Sequence, residues 1–354
     1  MSKLARHGIV LSIVVFAAFS ALSSGQPDLS LGEIFTRNVQ ASGGRGRLSQ
    51  VQNISFRIGG TRSYASANGE LKLVSGKEPV VTDVILVKGD KVRRNSFNAI
   101  TDITGPQKVL YQTMAQLYAG LFSLSKFEGR LKLEGLKAYG PERFYHLLMN
   151  SDGVEVGFFL RTDDFFLKRL VFKGLTPDGD KYEVNYDFAP FEETEGLRIP
   201  LSWFSSQVGT RGTLAEVTEL KINQTLPEDF FDRLEVNVGT TEASAGELKG
   251  NVLDFNSSPF GLTITTNWTK ADIEKAGLRT GDRLLLLVEG AEQELVFYAS
   301  ENEIPPREEL GEGARLLTPM PRGGDNYAIQ FFGVDSAQTA SKLKPLAAIQ
   351  IKKK

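Results

Sequence analysis

The side chains that most often carry out chemistry are scarce in this sequence. Its 354 residues include no cysteine and two histidines, His7 and His146. Without cysteine there is no thiol nucleophile, no disulfide and no acylated amino-terminal cysteine. A Ser-His-Asp arrangement would depend on His146 alone. That residue lies in the strand-like run Phe144-Tyr145-His146-Leu147-Leu148 and reads as a structural histidine. Zinc favours Cys and His ligands, so no metal and no cofactor is expected. Carboxylate pairs occur at Asp163-Asp164 and Glu192-Glu193. They fall at turns beside aromatic strands, where solvated loop charge explains them more simply than acid-base catalysis. The expectation is a protein that binds, not an enzyme.

Binding needs a surface, and the stretch from Ser55 to Asn223 supplies one. In Tyr182-Glu183-Val184-Asn185-Tyr186-Asp187-Phe188 the apolar residues share one face of a period-two strand. The same alternation runs through Ile54-Ser55-Phe56-Arg57-Ile58, Leu71-Lys72-Leu73 and Val154-Glu155-Val156-Gly157-Phe158. Strands are predicted near 51–59, 69–75, 80–88 and 91–97. More follow near 130–135, 143–149, 153–161, 165–173, 181–188, 197–205 and 213–223, with turn signals between them. One-sided strands of this kind build antiparallel sheets. The fold class expected is mostly β (α+β), a curved antiparallel half-barrel covered by helices, plus a small C-terminal β-rich domain.

Two helices are predicted to provide the cover. Ser30-Leu31-Gly32-Glu33 is a capping box that opens a helix carrying Leu31, Ile34, Phe35 and Val39, closed by Gly43-Gly44. From Pro106 the period changes: Leu110, Met114, Leu117 and Leu121 recur at helical spacing. Residues 106–124 are read as a lid on the sheet, with simple core filling as the alternative. The candidate apolar hollow is then lined by Phe56, Ile58, Leu71, Leu73, Leu110, Met114, Leu117, Leu121, Phe158, Tyr182 and Tyr186.

Lys3 and Arg6, the 14-residue apolar run Ile9 to Leu22, and Ser23-Ser24-Gly25 have the layout of a secretory signal peptide over 1–25. The run is short for a bilayer span; an uncleaved anchor is the alternative. A periplasmic or secreted chain with no transmembrane span after cleavage is expected. There are 41 basic against 43 acidic residues, a net charge of -2, which argues against nucleic acid as partner. Domains are placed at 26–238 and 248–354, with 239–247 as a linker.

The helix ending in Ala41-Ser42-Gly43-Gly44, then Leu48 and Val51 before the first strand, resembles the bacterial outer-membrane lipoprotein-sorting family, which includes periplasmic lipoprotein carriers. Tyr182 to Phe188, Glu195-Gly196-Leu197-Arg198-Ile199-Pro200 and Leu226-Pro227-Glu228-Asp229-Phe230-Phe231 fit the same layout, over about 30–235. The resemblance implies a half-barrel whose hydrophobic cavity shelters lipid or lipoprotein acyl chains. It also implies a basic residue in the cavity, for which Arg57 is the nearest match.

Beyond residue 248, Phe260, Gly261, Thr266, Asn267, Gly281 and Asp282 resemble the C-terminal β domain of the S-adenosylmethionine hydroxide adenosyltransferases. There Phe260, Gly261, Thr266 and Asn267 would form a candidate site. Leu262 stands where that family has Asn, and the family's catalytic domain has no counterpart here, so activity does not carry over. Pro259-Phe260-Gly261-Leu262 and Ala276 to Asp282 also resemble a PDZ domain, which would bind a peptide carboxylate. Three readings follow: an amphiphile-sheltering envelope protein, an envelope interaction protein with a filled core and an envelope protein partner, and an adenosyl-binding protein.

Overall fold

The computed structural model describes residues 29–76, 80–258, 261–288, 291–306, 309, 315–321, 326–332 and 348–354. The leader expected over 1–25 and the candidate Phe260 lie outside them.

Two short helices open the described chain, α1 (Leu31–Ala41) and α2 (Gly44–Leu48). The capping box forms as read: the Ser30 hydroxyl accepts from the Glu33 amide and the Glu33 carboxylate accepts from the Ser30 amide. Six strands follow, β1 (Asn53–Ile58), β2 (Thr61–Ser66), β3 (Leu71–Ser75), β4 (Asp83–Lys88), β5 (Lys91–Ser96) and β6 (Ala99–Asp102). Helix α3 (Gly105–Ala119) interrupts the series. Then come β7 (Lys132–Tyr139), β8 (Glu142–Ser151), β9 (Val154–Arg161), β10 (Leu167–Leu175) and β11 (Lys181–Phe188). A small hairpin, β12 (Phe191–Thr194) with β13 (Leu197–Pro200), leads to β14 (Ser202–Gln207) and β15 (Thr213–Ile222). Sequence reading missed β2 and β6. Their faces carry Ser63, Ala65 and Thr101, too small or polar to register as apolar alternation.

Thirteen of these strands form one antiparallel sheet in the order β6-β5-β4-β3-β2-β1-β15-β14-β11-β10-β9-β8-β7. This overturns the half-barrel. The sheet is open, with β6 and β7 as its two edges and no pairing between them, and it is neither closed nor strongly curled. Period-two alternation says which face is apolar. Curvature and closure depend on twist, bulges and tilt, about which alternation is silent. β1 joins the two halves, pairing with β2 on one side and β15 on the other.

One face of this sheet carries the main core, with α1 and α3 packed on it. The opposite face is covered over β3–β5 by the segment around Phe230 to Val236, against Val84 and Leu86. That second cover explains the unbroken apolar run Val84-Ile85-Leu86-Val87 in β4, buried on both sides. It also explains a buried Lys72: its ammonium donates to the Phe230 carbonyl at 3.1 Å and lies 4.4 Å from the Phe230 ring.

The second sheet comprises β16 (Glu242–Ser244), β17 (Glu247–Ser258), β18 (Gly261–Thr269), β19 (Arg283–Val288), β20 (Ala291–Phe297), β21 (Leu316–Pro321), β22 (Asn326–Phe332) and β23 (Ala348–Lys353), with α4 (Lys270–Ala276). The pairing order β17-β18-β22-β21-β20-β19-β23 returns to β17 through the β17–β23 ladder, so seven strands form a closed ring. Leu248, Leu262, Ile264, Trp268, Leu284, Leu286 and Ile351 fill it. Buried Leu262 is thus part of a packed interior. Strand β16 lies within the span read as a linker.

Candidate functional site

The predicted hollow residues converge on one place. Phe56, Leu71, Leu110, Met114, Leu117, Leu121 and Phe158 are all buried in the main core, with Ile58, Leu73, Tyr182 and Tyr186 half-buried against it. Helix α3 crosses the apolar face of the sheet, as its spacing predicts. The centre is an aromatic cluster that sequence reading did not assemble: Phe56, Tyr118, Phe122, Phe188 and Trp203. Phe56 meets Tyr118 edge-on at 5.0 Å and Trp203 at 6.2 Å, and Phe122 lies 5.8 Å from both Phe188 and Trp203. Phe188 and Trp203 are direct cross-strand partners. Trp203 was hard to find because Ser202-Trp203-Phe204 puts one aromatic on each face.

Left-handed backbone flanks α3 on both sides. Gly105 has φ +61°, natural for glycine. At the other end Leu121 (φ +51°) and Phe122 (φ +61°) are consecutive non-glycine residues in the left-handed region. Such residues cost of order 1–3 kcal/mol each, and here they are held by burial of both side chains. Asn38 of α1 secures the chain just beyond. Its fully buried amide donates to the Phe165 carbonyl at 2.8 Å and accepts from the Leu124 amide at 2.7 Å. Nothing in the spacing of the sequence marks Asn38, since a polar residue on an amphipathic helix ordinarily faces water.

Tyr111 of α3 lies near Tyr182 and Tyr186 of β11. Burial raises the Tyr182 hydroxyl to about 12, with neighbouring Tyr111 contributing, and raises Tyr186 further. These phenols stay neutral at physiological pH and offer hydrogen-bonding edges beside an apolar interior. Arg57 is not in the core. It points to the other face and pairs with Glu219 at 3.1 Å, so the basic cavity residue implied by the resemblance is not supplied there.

The carboxylate pairs do not assemble acid-base machinery. Arg161 holds both members of one pair, Asp163 at 2.5 Å and Asp164 at 3.5 Å. The Arg161 hydrogen bond lowers Asp163, whereas burial raises Asp164. Glu192 and Glu193 are exposed on β12. Among the described residues no three His, Asp or Glu side chains group to hold a metal ion.

His146 stacks on Phe159 at 4.4 Å, and its buried Nδ1 has no hydrogen-bond partner among the described residues. Burial, and then Lys137, lower its pKa below the ordinary 6.5. The folded state therefore disfavours the proton that the unfolded state takes up. The stability contribution is whole above the unfolded value and is lost as pH falls through the lower folded value. In thermal melts between about pH 7.5 and about pH 5.5 (roughly one unit above and below the unfolded value), His146→Gln should show a shallower decline than the parent. Parallel declines would refute the assignment.

Of the C-terminal candidates, Gly261 begins β18, while Thr266 and Asn267 lie in its far end, where pairing with β22 slips between Thr265 and Thr269. The Thr266 hydroxyl donates to the Tyr327 carbonyl at 2.8 Å, and the Asn267 side-chain oxygen accepts from the Asn251 amide at 2.7 Å. Both side chains are buried and hold this irregularity. Phe260 lies outside the described residues. No helix among the described residues is long and apolar enough to cross a membrane, which says nothing of strands.

No family profile and no curated protein matches the chain. Among solved structures it is similar to a LolA superfamily protein from Nitrosomonas europaea, at 14% identity and a TM-score of 0.37, over 57% of this chain and 97% of that one. The Mycobacterium tuberculosis lipoprotein LppX is 10% identical with a TM-score of 0.23, over 56% of this chain and 99% of that one. An uncharacterized conserved protein from Thermotoga maritima is 18% identical with a TM-score of 0.26, covering 36% and 46%. These amount to a distant, partial resemblance in fold, from which no residue role is taken.

Proposed function

We propose that this chain is an extracytoplasmic binding protein that takes up the apolar part of an amphiphile between α3 and the large sheet. The observation that carries the reading is the left-handed backbone on both sides of α3, at Gly105 and at Leu121-Phe122. Leu121 and Phe122 both sit in left-handed backbone whose strain is relieved if the helix lifts from the sheet. Energetics allow the exchange. Burying about a dozen methylenes gains roughly 10 kcal/mol at ~0.8 each, and undocking Val109, Leu110, Met114, Leu117 and Tyr118 costs roughly 8–15 kcal/mol. The two are of the same order, so the helix can yield to an acyl chain and return. Tyr111, Tyr182 and Tyr186 would then meet the polar end.

A second reading rests on a different feature. Phe204 and Leu214 face each other across the β14–β15 hairpin at 43% and 60% exposure, with Val208 beside its turn at 54%. That apolar tip favours an envelope interaction protein whose core stays filled.

One experiment separates the two. Lys108 on α3 pairs with Asp90 in the β4–β5 turn at 2.8 Å, and the chain has no native cysteine. Lys108→Cys and Asp90→Cys can therefore be joined by a short bis-maleimide. The tethered protein should bind a fluorescent fatty acid at least about tenfold more weakly than the same variant left unlinked. Equal binding, with the crosslink verified by mass, would favour the filled core.

A further inference from the structure

At the end of β9–β11 the small β12–β13 hairpin closes a pocket of about 210 Å³. Its apolar wall includes Phe166 and Phe191, stacked at 4.4 Å and 15°. Its polar lining is Arg161, Lys168 and Arg198, with Asp164 as the single carboxylate. The three cations are not equivalent. Arg161 is engaged by Asp163 and Asp164. Lys168 uses one of its three donors on the Phe188 carbonyl at 2.9 Å. Arg198 lies 6.0 Å from the Phe166 ring centroid. Neither Lys168 nor Arg198 has a carboxylate within 4.0 Å among the described residues, whereas Arg161 in the same lining has two.

We infer that this pocket binds an oxyanion, a phosphate or carboxylate, carried on an apolar or aromatic body. Lys168 and Arg198 present unspent donors, and charge-assisted bonds to such a group are the strong kind. The ring of Phe191, half-buried, gives the attached body a flat surface. The volume suits one head group and not a whole acyl chain. The site does not rest on the lid: none of its lining residues belongs to α3. The same chemistry could come from a free metabolite or from a lipid head group.

Phenyl phosphate is the probe for the free source, titrated calorimetrically into the full chain. Phosphatidylglycerol vesicles, with phosphatidylcholine vesicles as reference, probe the lipid source. Arg198→Gln and Lys168→Gln should each weaken phenyl phosphate binding about tenfold. Lys91→Gln, an exposed cation on β5, should change it no more than about twofold. Arg198→Lys keeps the charge and should restore part of the affinity, which a folding defect would not allow. If vesicle binding falls in parallel, the source is a head group. If only the soluble probe responds, it is a free anion. No binding of either probe, or equal losses in Lys91→Gln, would overturn the proposal.

Discussion

Phe56→Ala is expected to lower the unfolding free energy of the large-sheet region by about 3–5 kcal/mol, the range for deleting a buried aromatic ring. Phe56 is 1% exposed and touches Tyr118, Phe122 and Trp203. The cavity left would be bordered by rings from α3, from the segment that follows it and from β14, none of which can close it without breaking the others' contacts. β1 is also the strand that joins the two halves of the sheet. A lower urea midpoint at unchanged slope is the measurement, with Phe56→Leu as a milder control. A loss below about 1 kcal/mol would mean that the cluster is not the centre of the core.

How much of this was legible in the sequence depends on the kind of fact. Alternation placed Phe56, Leu71, Phe158 and Tyr186 on one face, and helical spacing put Leu110, Met114 and Leu117 over them, because both signals report which side of an element is dry. The capping box at Ser30 was legible because it is local. The openness of the sheet was not, and the half-barrel expected in its place is wrong. Whether thirteen strands close, curl or lie open is decided by pairing between residues far apart, and strands such as Thr61–Ser66 carry no apolar signal at all. Asn38 was invisible for a related reason. Its two partners, Phe165 and Leu124, are brought to it only by the completed fold. Arg57 shows the same limit from the other side: alternation put it opposite Phe56, and only the fold shows that it meets Glu219 there.

Leu117→Asp decides what α3 is for. Leu117 is fully buried, and an unpaired carboxylate at that position costs several kcal/mol with the helix docked. Two responses are open to the chain. It can unfold the whole large sheet, or it can release α3 about Gly105 and Leu121-Phe122, relieving the strain there as it does so. The expected result is release. Trp203 reports it, since it contacts Tyr118 and Phe122; a Trp268→Phe background removes the only other tryptophan. Its emission should shift to the red while amides of the β8–β10 ladders keep their protection from hydrogen exchange. Fatty-acid binding should rise about tenfold or more, because the ligand no longer competes with the helix. Loss of protection throughout β8–β10 would show that α3 and the sheet are one cooperative core, leaving the exposed β14–β15 tip as the surface that does the binding.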